Sequence, residues 1–263
     1  MIINFCTKGR LGNAIFRYMA SIILCIHYDG VYSINMPQPH SCEDQEFIGI
    51  MEKIINKEEK KPIPMKGLNM DWYYQHDLIY KIHKQEIFDH INNHQDHYVL
   101  TDGVGPNDGN CEKYYMKDIL NTPLTFNKKY KNVLHVRLED FVSLNWYIKV
   151  ERVIDLLKRN IISESLCLVC KKPVTEFENS YIKVIQDYIK TTELELFLEH
   201  NDTITDFYIM KEAETLICSK STLSWCASFF SKNIKKCYLP DYDVSKEIGK
   251  STCKYPIDNT ELY

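Results

Sequence analysis

Short apolar runs alternate along this chain with stretches in which apolar residues recur at helical spacing. Met1-Ile2-Ile3-Asn4-Phe5-Cys6 predicts a first strand, and residues 7–13, with glycines at 9 and 12, predict a turn leaving it. From Asn13, placed as an N-cap, Ile15, Met19, Ile22, Ile23 and Ile26 fall on one face of a helix. Residues 32–66 are polar and broken by proline, with a helical patch near 47–55 and a solvated charge run at 57–61. An aromatic, strand-like segment at 67–76 passes into an amphipathic stretch at 77–91. Residues 98–110 carry three glycines and a proline and predict a loop; 112–120 predict a helix; 121–129 predict an exposed linker.

Beyond the linker the rhythm is regular. Strands are predicted at 132–136, 166–170, 194–198, 216–218 and 236–239. Helices are predicted between them at 145–158, 177–190, 203–214 (capped by Thr203 or Thr205) and from Ser224 through Phe230. Strands alternating with helices in this way indicate an α/β fold with a doubly wound parallel sheet.

Two places in that pattern carry candidate chemistry. The run Val133-Leu134-His135-Val136-Arg137-Leu138-Glu139-Asp140-Phe141 begins as a buried strand and breaks abruptly into charge. The carboxyl end of a parallel strand looks like this where the following loop faces a ligand crevice. Arg137 there offers a permanent charge and a rigid fork of donors suited to phosphate, with His135 and Asp140 flanking it. The plainer alternative is an Arg–Asp pair that closes a loop. The second place is the hydroxyl cluster Ser219, Ser221, Thr222 and Ser224, just past a strand and at the start of a helix. Free N–H groups and the helix dipole favour an anion at such a terminus, although the hydroxyls would also serve as caps. One fixed cation and one helix N-terminus together could hold a diphosphate without a metal.

Composition narrows the picture modestly. With 44% hydrophobic and 26% charged residues, the chain is an ordinary globular sequence. A net charge of −4 and the lack of a basic run with interleaved aromatics argue against nucleic acid as a partner. Ten cysteines include one CxxC pair, Cys167 and Cys170, inside an apolar run; no second pair completes a zinc site, so buried strand thiols are expected. The amino terminus lacks the features of a cleavable signal, and no apolar run approaches the roughly 20 residues that span a bilayer. A soluble, cytoplasmic protein without a transmembrane segment is expected, with attachment at the periphery of a membrane left open.

Four collinear blocks carry a resemblance. Gly9-Arg10-Leu11-Gly12-Asn13-Ala14-Ile15-Phe16-Arg17-Tyr18, Met70-Asp71-Trp72-Tyr73-Tyr74-Gln75-His76 and His135-Val136-Arg137-Leu138-Glu139-Asp140-Phe141 are three. The fourth is Asp206-Phe207-Tyr208-Ile209-Met210, continuing to Lys220-Ser221-Thr222-Leu223-Ser224-Trp225. Together they resemble the GGLGNQMFQY, GYFQS, HVRRGDY and DLxLM…NSSFSWW blocks of the α1,2-fucosyltransferase family (glycosyltransferase family 11). The resemblance implies a GT-B-like fold of two Rossmann-like domains facing across a cleft, with an acceptor-binding domain at 1–125 and a donor-binding domain at 126–263. It implies an inverting, metal-independent transfer of a sugar, fucose first, from a nucleotide-sugar to a hydroxyl of an oligosaccharide or glycoconjugate acceptor. No cofactor is implied beyond that co-substrate, GDP-fucose or another nucleotide-sugar.

On the matching positions, Arg137 would neutralise the departing diphosphate, and Asp140 would be either the base for the acceptor proton or a structural partner of Arg137. Gly12, Asn13, His135, Ser219, Ser221, Thr222 and Ser224 would bind the donor. The chain departs from the family where an acidic stretch is replaced by Cys170-Lys171-Lys172. That leaves the donor base open, with UDP-xylose or a GDP-deoxyhexose other than fucose as alternatives, and a catalytically silent sugar-binding relative as the alternative outside enzymes.

Overall fold

The computed structural model describes residues 2–6, 9–27, 33–38, 68–70, 77–101, 112–159, 161–241 and 255–263. The chain divides into two compact units: the described residues up to Pro123 form one, and those from Leu124 onward the other.

In the N-terminal unit β1 (Ile2–Cys6) pairs in parallel with β2 (Ser33–Gln38) on one side and β3 (Leu68–Met70) on the other. Helix α1 (Leu11–His27) begins two residues before the predicted cap. Gly9 takes a positive φ of 87 just ahead of the helix, and the Arg10 carbonyl already accepts from the N–H groups of Asn13 (3.0 Å) and Ala14 (3.2 Å). Asn13 therefore lies inside the first turn rather than at its cap. Leu11, Phe16, Tyr18, Ala20 and Cys25 are buried along with Ile15, Met19, Ile22 and Ile23, so α1 is enclosed on more than the one predicted face.

The amphipathic stretch forms two helices, α2 (Asp77–Ile82) and α3 (Lys84–Asn93), separated at His83, whose backbone leaves the helical region (φ −100, ψ 19). Residues 98–101 are a strand rather than part of a loop: β4 (Tyr98–Thr101) pairs antiparallel with β5 (Glu112–Tyr115), and only α4 (Met116–Leu120) of the predicted 112–120 helix is helical. Val99 and Thr101 point inward with period two, a signal hidden by the glycines and proline that follow. The predictions at 47–55, 71–76 and 102–110 lie outside the described residues.

Among its described residues the C-terminal unit has six parallel strands: β6 (Asn132–His135), β7 (Ser165–Val169), β8 (Glu195–Glu199), β9 (Thr215–Ile217), β10 (Lys236–Leu239) and β11 (Thr260–Leu262). Their spatial order is β11-β10-β9-β6-β7-β8. The chain steps outward from β6 to β8, then returns to the opposite side of β6 and steps outward again to β11. The direction of winding thus reverses between β6 and β9, and that reversal is where open α/β sheets leave a crevice beyond their strand ends. The edge strand β11 is not predicted by the sequence pattern.

Among the described residues five helices accompany this sheet: α5 (Glu139–Ser143), α6 (Val150–Leu157), α7 (Glu176–Ile189), α8 (Thr203–Glu212) and α9 (Thr222–Phe230). The helix predicted from 145 starts only at Val150, because Asn145 takes the left-handed conformation (φ 54) and Trp146 N–H returns to the Phe141 carbonyl at 2.8 Å. Helix α8 is capped by Asp202, whose carboxylate accepts from Thr205 N–H at 2.8 Å, and not by a threonine. Leu134, Leu166 and Leu168 of the strands form a core with Val153, Leu156 and Leu157 of α6 and Ile182, Ile185 and Ile189 of α7. Each such side chain contributes about 1.5–3 kcal/mol on burial. The sheet that carries the candidate chemistry is therefore firmly backed. Cys167 and Cys170 are buried free thiols, as expected from their setting.

Candidate functional site

The two strands at the reversal are joined across their carboxyl ends. His135 closes β6, Ser219 follows β9, and His135 Nδ1 lies 2.9 Å from Ser219 Oγ. His135 is buried, and burial, reinforced by the positive charge of Arg137, lowers its pKa to about 3. At neutral pH it is an uncharged imidazole whose hydrogen bond ties the two strand ends together.

Beyond His135 the chain keeps its strand direction for one more residue, Val136 N–H donating to Val169 O at 2.9 Å, and then delivers Arg137. The Arg137 side chain is 13% exposed. Its Nη2 donates to Asp140 Oδ1 at 3.0 Å and Oδ2 at 3.2 Å, its Nε lies 3.6 Å from Glu139 Oε2, and its Cζ stands 4.6 Å from the centre of the Phe141 ring. All of these partners come from the segment 139–141. The turn that places them is strained at Glu139, which sits at φ 37. A non-glycine residue held in such a region costs on the order of 1–3 kcal/mol and persists only where its surroundings hold it.

The surroundings are supplied by α7. Thr175 and Glu178 form a capping box, Thr175 Oγ1 accepting from Glu178 N–H (3.1 Å) while Glu178 Oε2 accepts from Thr175 N–H (2.9 Å) and Val174 N–H (2.8 Å). The second oxygen, Oε1, accepts from Glu139 N–H at 3.1 Å. Burial alone would raise the pKa of Glu178, but these backbone donors outweigh it and hold the carboxyl below the usual range. Beside this knot a small pocket is lined by Val136, Leu138, Glu139, Cys170, Lys171, Pro173 and Glu178.

At the end of β9, Ser221 caps α9 by accepting from Leu223 N–H at 3.3 Å. Ser224 is fully buried and donates to the carbonyls of Ser221 (3.0 Å) and Ser219 (3.5 Å). Ser224 therefore shapes the loop rather than presenting a hydroxyl, whereas Lys220 and Thr222 are half-buried.

A polar cluster at the end of β8 completes this edge of the sheet. Glu199 accepts from Lys128 (2.8 Å), Tyr130 and Asn201 (2.9 Å). Asn201 Nδ2 also donates to Asp206 Oδ1 at 3.1 Å, and Lys171 Nζ donates to the Asn201 carbonyl at 3.2 Å. Asp206 is buried, and burial raises its pKa to about 7 against the opposing effects of the Asn201 hydrogen bond and the Lys171 charge.

Of the residues singled out from sequence, His135, Arg137 and Asp140 lie at or just past the end of β6, and Ser219, Ser221, Thr222 and Ser224 just past the end of its neighbour β9. Gly12 and Asn13 lie in the first turn of α1, in the other unit. The sequence assigns no role to Glu178 or, although it heads the fourth block, to Asp206. The first is nevertheless legible as a Thr-x-x-Glu capping signal. Among the described residues no group of three His, Cys, Asp or Glu side chains is placed to hold a metal ion, and no helix is long and apolar enough to cross a membrane.

No known family model matches the chain, and no curated protein matches it. Among solved structures, the crystal structure of POFUT1 in complex with GDP-fucose is similar at a TM-score of 0.42 and 12% identity, covering 90% of this chain and 97% of that one. Likeness at that level is too low to carry residue roles from one chain to the other.

Proposed function

We propose that the protein is a glycosyltransferase that takes a nucleoside-diphosphate sugar at the carboxyl ends of β6 and β9 and moves the sugar to a hydroxyl of a glycan acceptor. The observation that carries this reading is the His135–Ser219 hydrogen bond, which brings the Arg137 strand end and the N-terminus of α9 together where the sheet reverses its winding. The four sequence blocks, two of which meet there, support it further. In this reading the C-terminal unit holds the donor and the N-terminal unit serves the acceptor.

The chemistry is a single displacement with inversion. The acceptor oxygen forms its bond to the anomeric carbon as the bond from that carbon to the diphosphate breaks, and the electron pair leaves with the diphosphate. Arg137 and the positive end of the α9 dipole neutralise the departing charge, so no metal is required. Diphosphate bound to Arg137 displaces Asp140 from the guanidinium, and the freed carboxylate takes the acceptor proton. Fucose from GDP-fucose is the first donor to try. Lys171 at the pocket is the reason to try UDP-xylose and other GDP-deoxyhexoses beside it.

Thermal stabilisation by GDP and UDP, with and without a chelator, tests the reading, because a ligand bound only by the folded state raises its apparent stability. A chelator-insensitive shift that disappears in Arg137→Ala is expected. No shift with any nucleoside diphosphate removes the proposal. A shift without transfer from any nucleotide-sugar identifies a silent relative.

A further inference from the structure

Asp140, Glu139 and Phe141 all touch the Arg137 guanidinium, so the backbone turn at Leu138–Glu139 contributes to where that guanidinium is held. Glu139 at φ 37 would relax to a more populated conformation if nothing opposed it. Its N–H is held by Glu178 Oε1, from a helix that begins nearly forty residues later and is fixed by its own capping box.

We infer that Glu178 is a positioning residue for diphosphate binding, latching the strained Arg137 loop onto the N-terminus of α7. This rests on the reading of Arg137 as the diphosphate-binding cation. The two oxygens of the carboxylate divide the work: Oε2 takes the Thr175 and Val174 amides and secures the helix, while Oε1 takes the Glu139 amide and secures the loop. The division makes the two tasks separable. A glutamine has one acceptor oxygen; turned toward Thr175 and Val174 it preserves both capping bonds and presents its NH2 group to Glu139 N–H, where two donors meet and no bond forms. Glu178→Gln therefore releases the loop and keeps the cap. Thr175→Ala does the reverse, removing the hydroxyl that accepts from Glu178 N–H while leaving both carboxylate oxygens in place.

The experiment compares wild type, Glu178→Gln, Thr175→Ala and Arg137→Ala by calorimetric titration with GDP, UDP and inorganic pyrophosphate, and by hydrogen exchange at the Glu139 amide. Glu178→Gln is expected to lose at least tenfold in affinity for GDP or UDP and for pyrophosphate, and to expose the Glu139 amide to exchange. Thr175→Ala is expected to melt at a lower temperature than wild type yet to keep both affinity and amide protection. A purely structural role would make affinity follow melting temperature in both variants, and that pattern overturns the inference. Wild-type affinity in Glu178→Gln, with Arg137→Ala impaired, also overturns it while leaving the donor-site reading intact. If wild type binds none of the three probes, the donor-site reading fails and this inference fails with it. Loss of Glu139 protection in Glu178→Gln would then establish only the latch.

Discussion

Arg137 and Asp140 meet through two hydrogen bonds from one nitrogen, Nη2 standing 3.0 Å from Oδ1 and 3.2 Å from Oδ2. The pair is unequal: the Arg137 side chain is 13% exposed and the Asp140 side chain 44%. In the proposed function a diphosphate competes with Asp140 for the guanidinium, which gives the carboxylate opposite effects on binding and on chemistry.

Asp140→Asn should accordingly tighten binding of GDP or UDP and slow transfer. Removing a half-exposed counter-ion is worth about 0.5–1 kcal/mol, a gain of a few-fold in affinity. Removing the proton acceptor should lower turnover by roughly 10²–10⁴. Calorimetric titration and initial rates with the matching nucleotide-sugar measure the two separately. Tighter binding with undiminished turnover would make Asp140 a counter-ion alone.

The buried groups at this edge of the sheet respond to pH with opposite signs. His135 has its pKa lowered to about 3 by burial and by Arg137, so its contribution to stability is complete above the unfolded value near 6.5 and is lost as pH falls toward 3. Asp206 has its pKa raised to about 7, chiefly by burial, so the folded state binds more protons than the unfolded one between about 4 and 7, and stability falls as pH rises through that window. Asp206→Asn, which keeps an acceptor oxygen for Asn201, should remove the second effect alone. Its melting temperature relative to wild type should climb from pH 4 to pH 7 and level off above. A difference that stays constant over that range would place the Asp206 proton elsewhere.

The regular half of the fold was legible because parallel strands buried on both faces are near-continuous apolar runs, and β6, β7 and β10 came through as such. The antiparallel pair β4–β5 was hidden by three glycines and a proline in the segment between its strands, and β11 by its three-residue length and half-buried pattern. Arg137 and the α9 terminus could be found because each lies where its own strand ends. The bond from His135 to Ser219 spans 84 positions, and the latch from Glu178 to Glu139 spans 39. Strand order and crossover geometry create both, and local spacing carries no trace of either. Ser224 shows the converse: hydroxyls crowded at a helix start look like ligand contacts until the backbone carbonyls that occupy them are seen.

The N-terminal unit carries its own acid sensitivity. His90, His94 and His97 stack with ring centres 4.1 Å and 4.7 Å apart along the series, and Tyr18 of α1 joins them through its OH, 2.9 Å from His97 Nδ1. Burial first, and then the neighbouring imidazoles, lower the pKa of His90 to about 4, and burial likewise lowers that of His97. His90 and His97 therefore bind more protons in the unfolded chain than in the folded one as pH drops below about 6.5, and the folded unit loses stability down to about pH 4. Hydrogen-exchange protection in α1 and α3 should fall over that interval, separately from the sheet of the other unit. His90→Phe keeps an aromatic ring in the stack and removes one proton site, so protection in these two helices should decline less steeply in the variant. Equal decline in variant and wild type would assign the acid response of this unit to groups other than the stack.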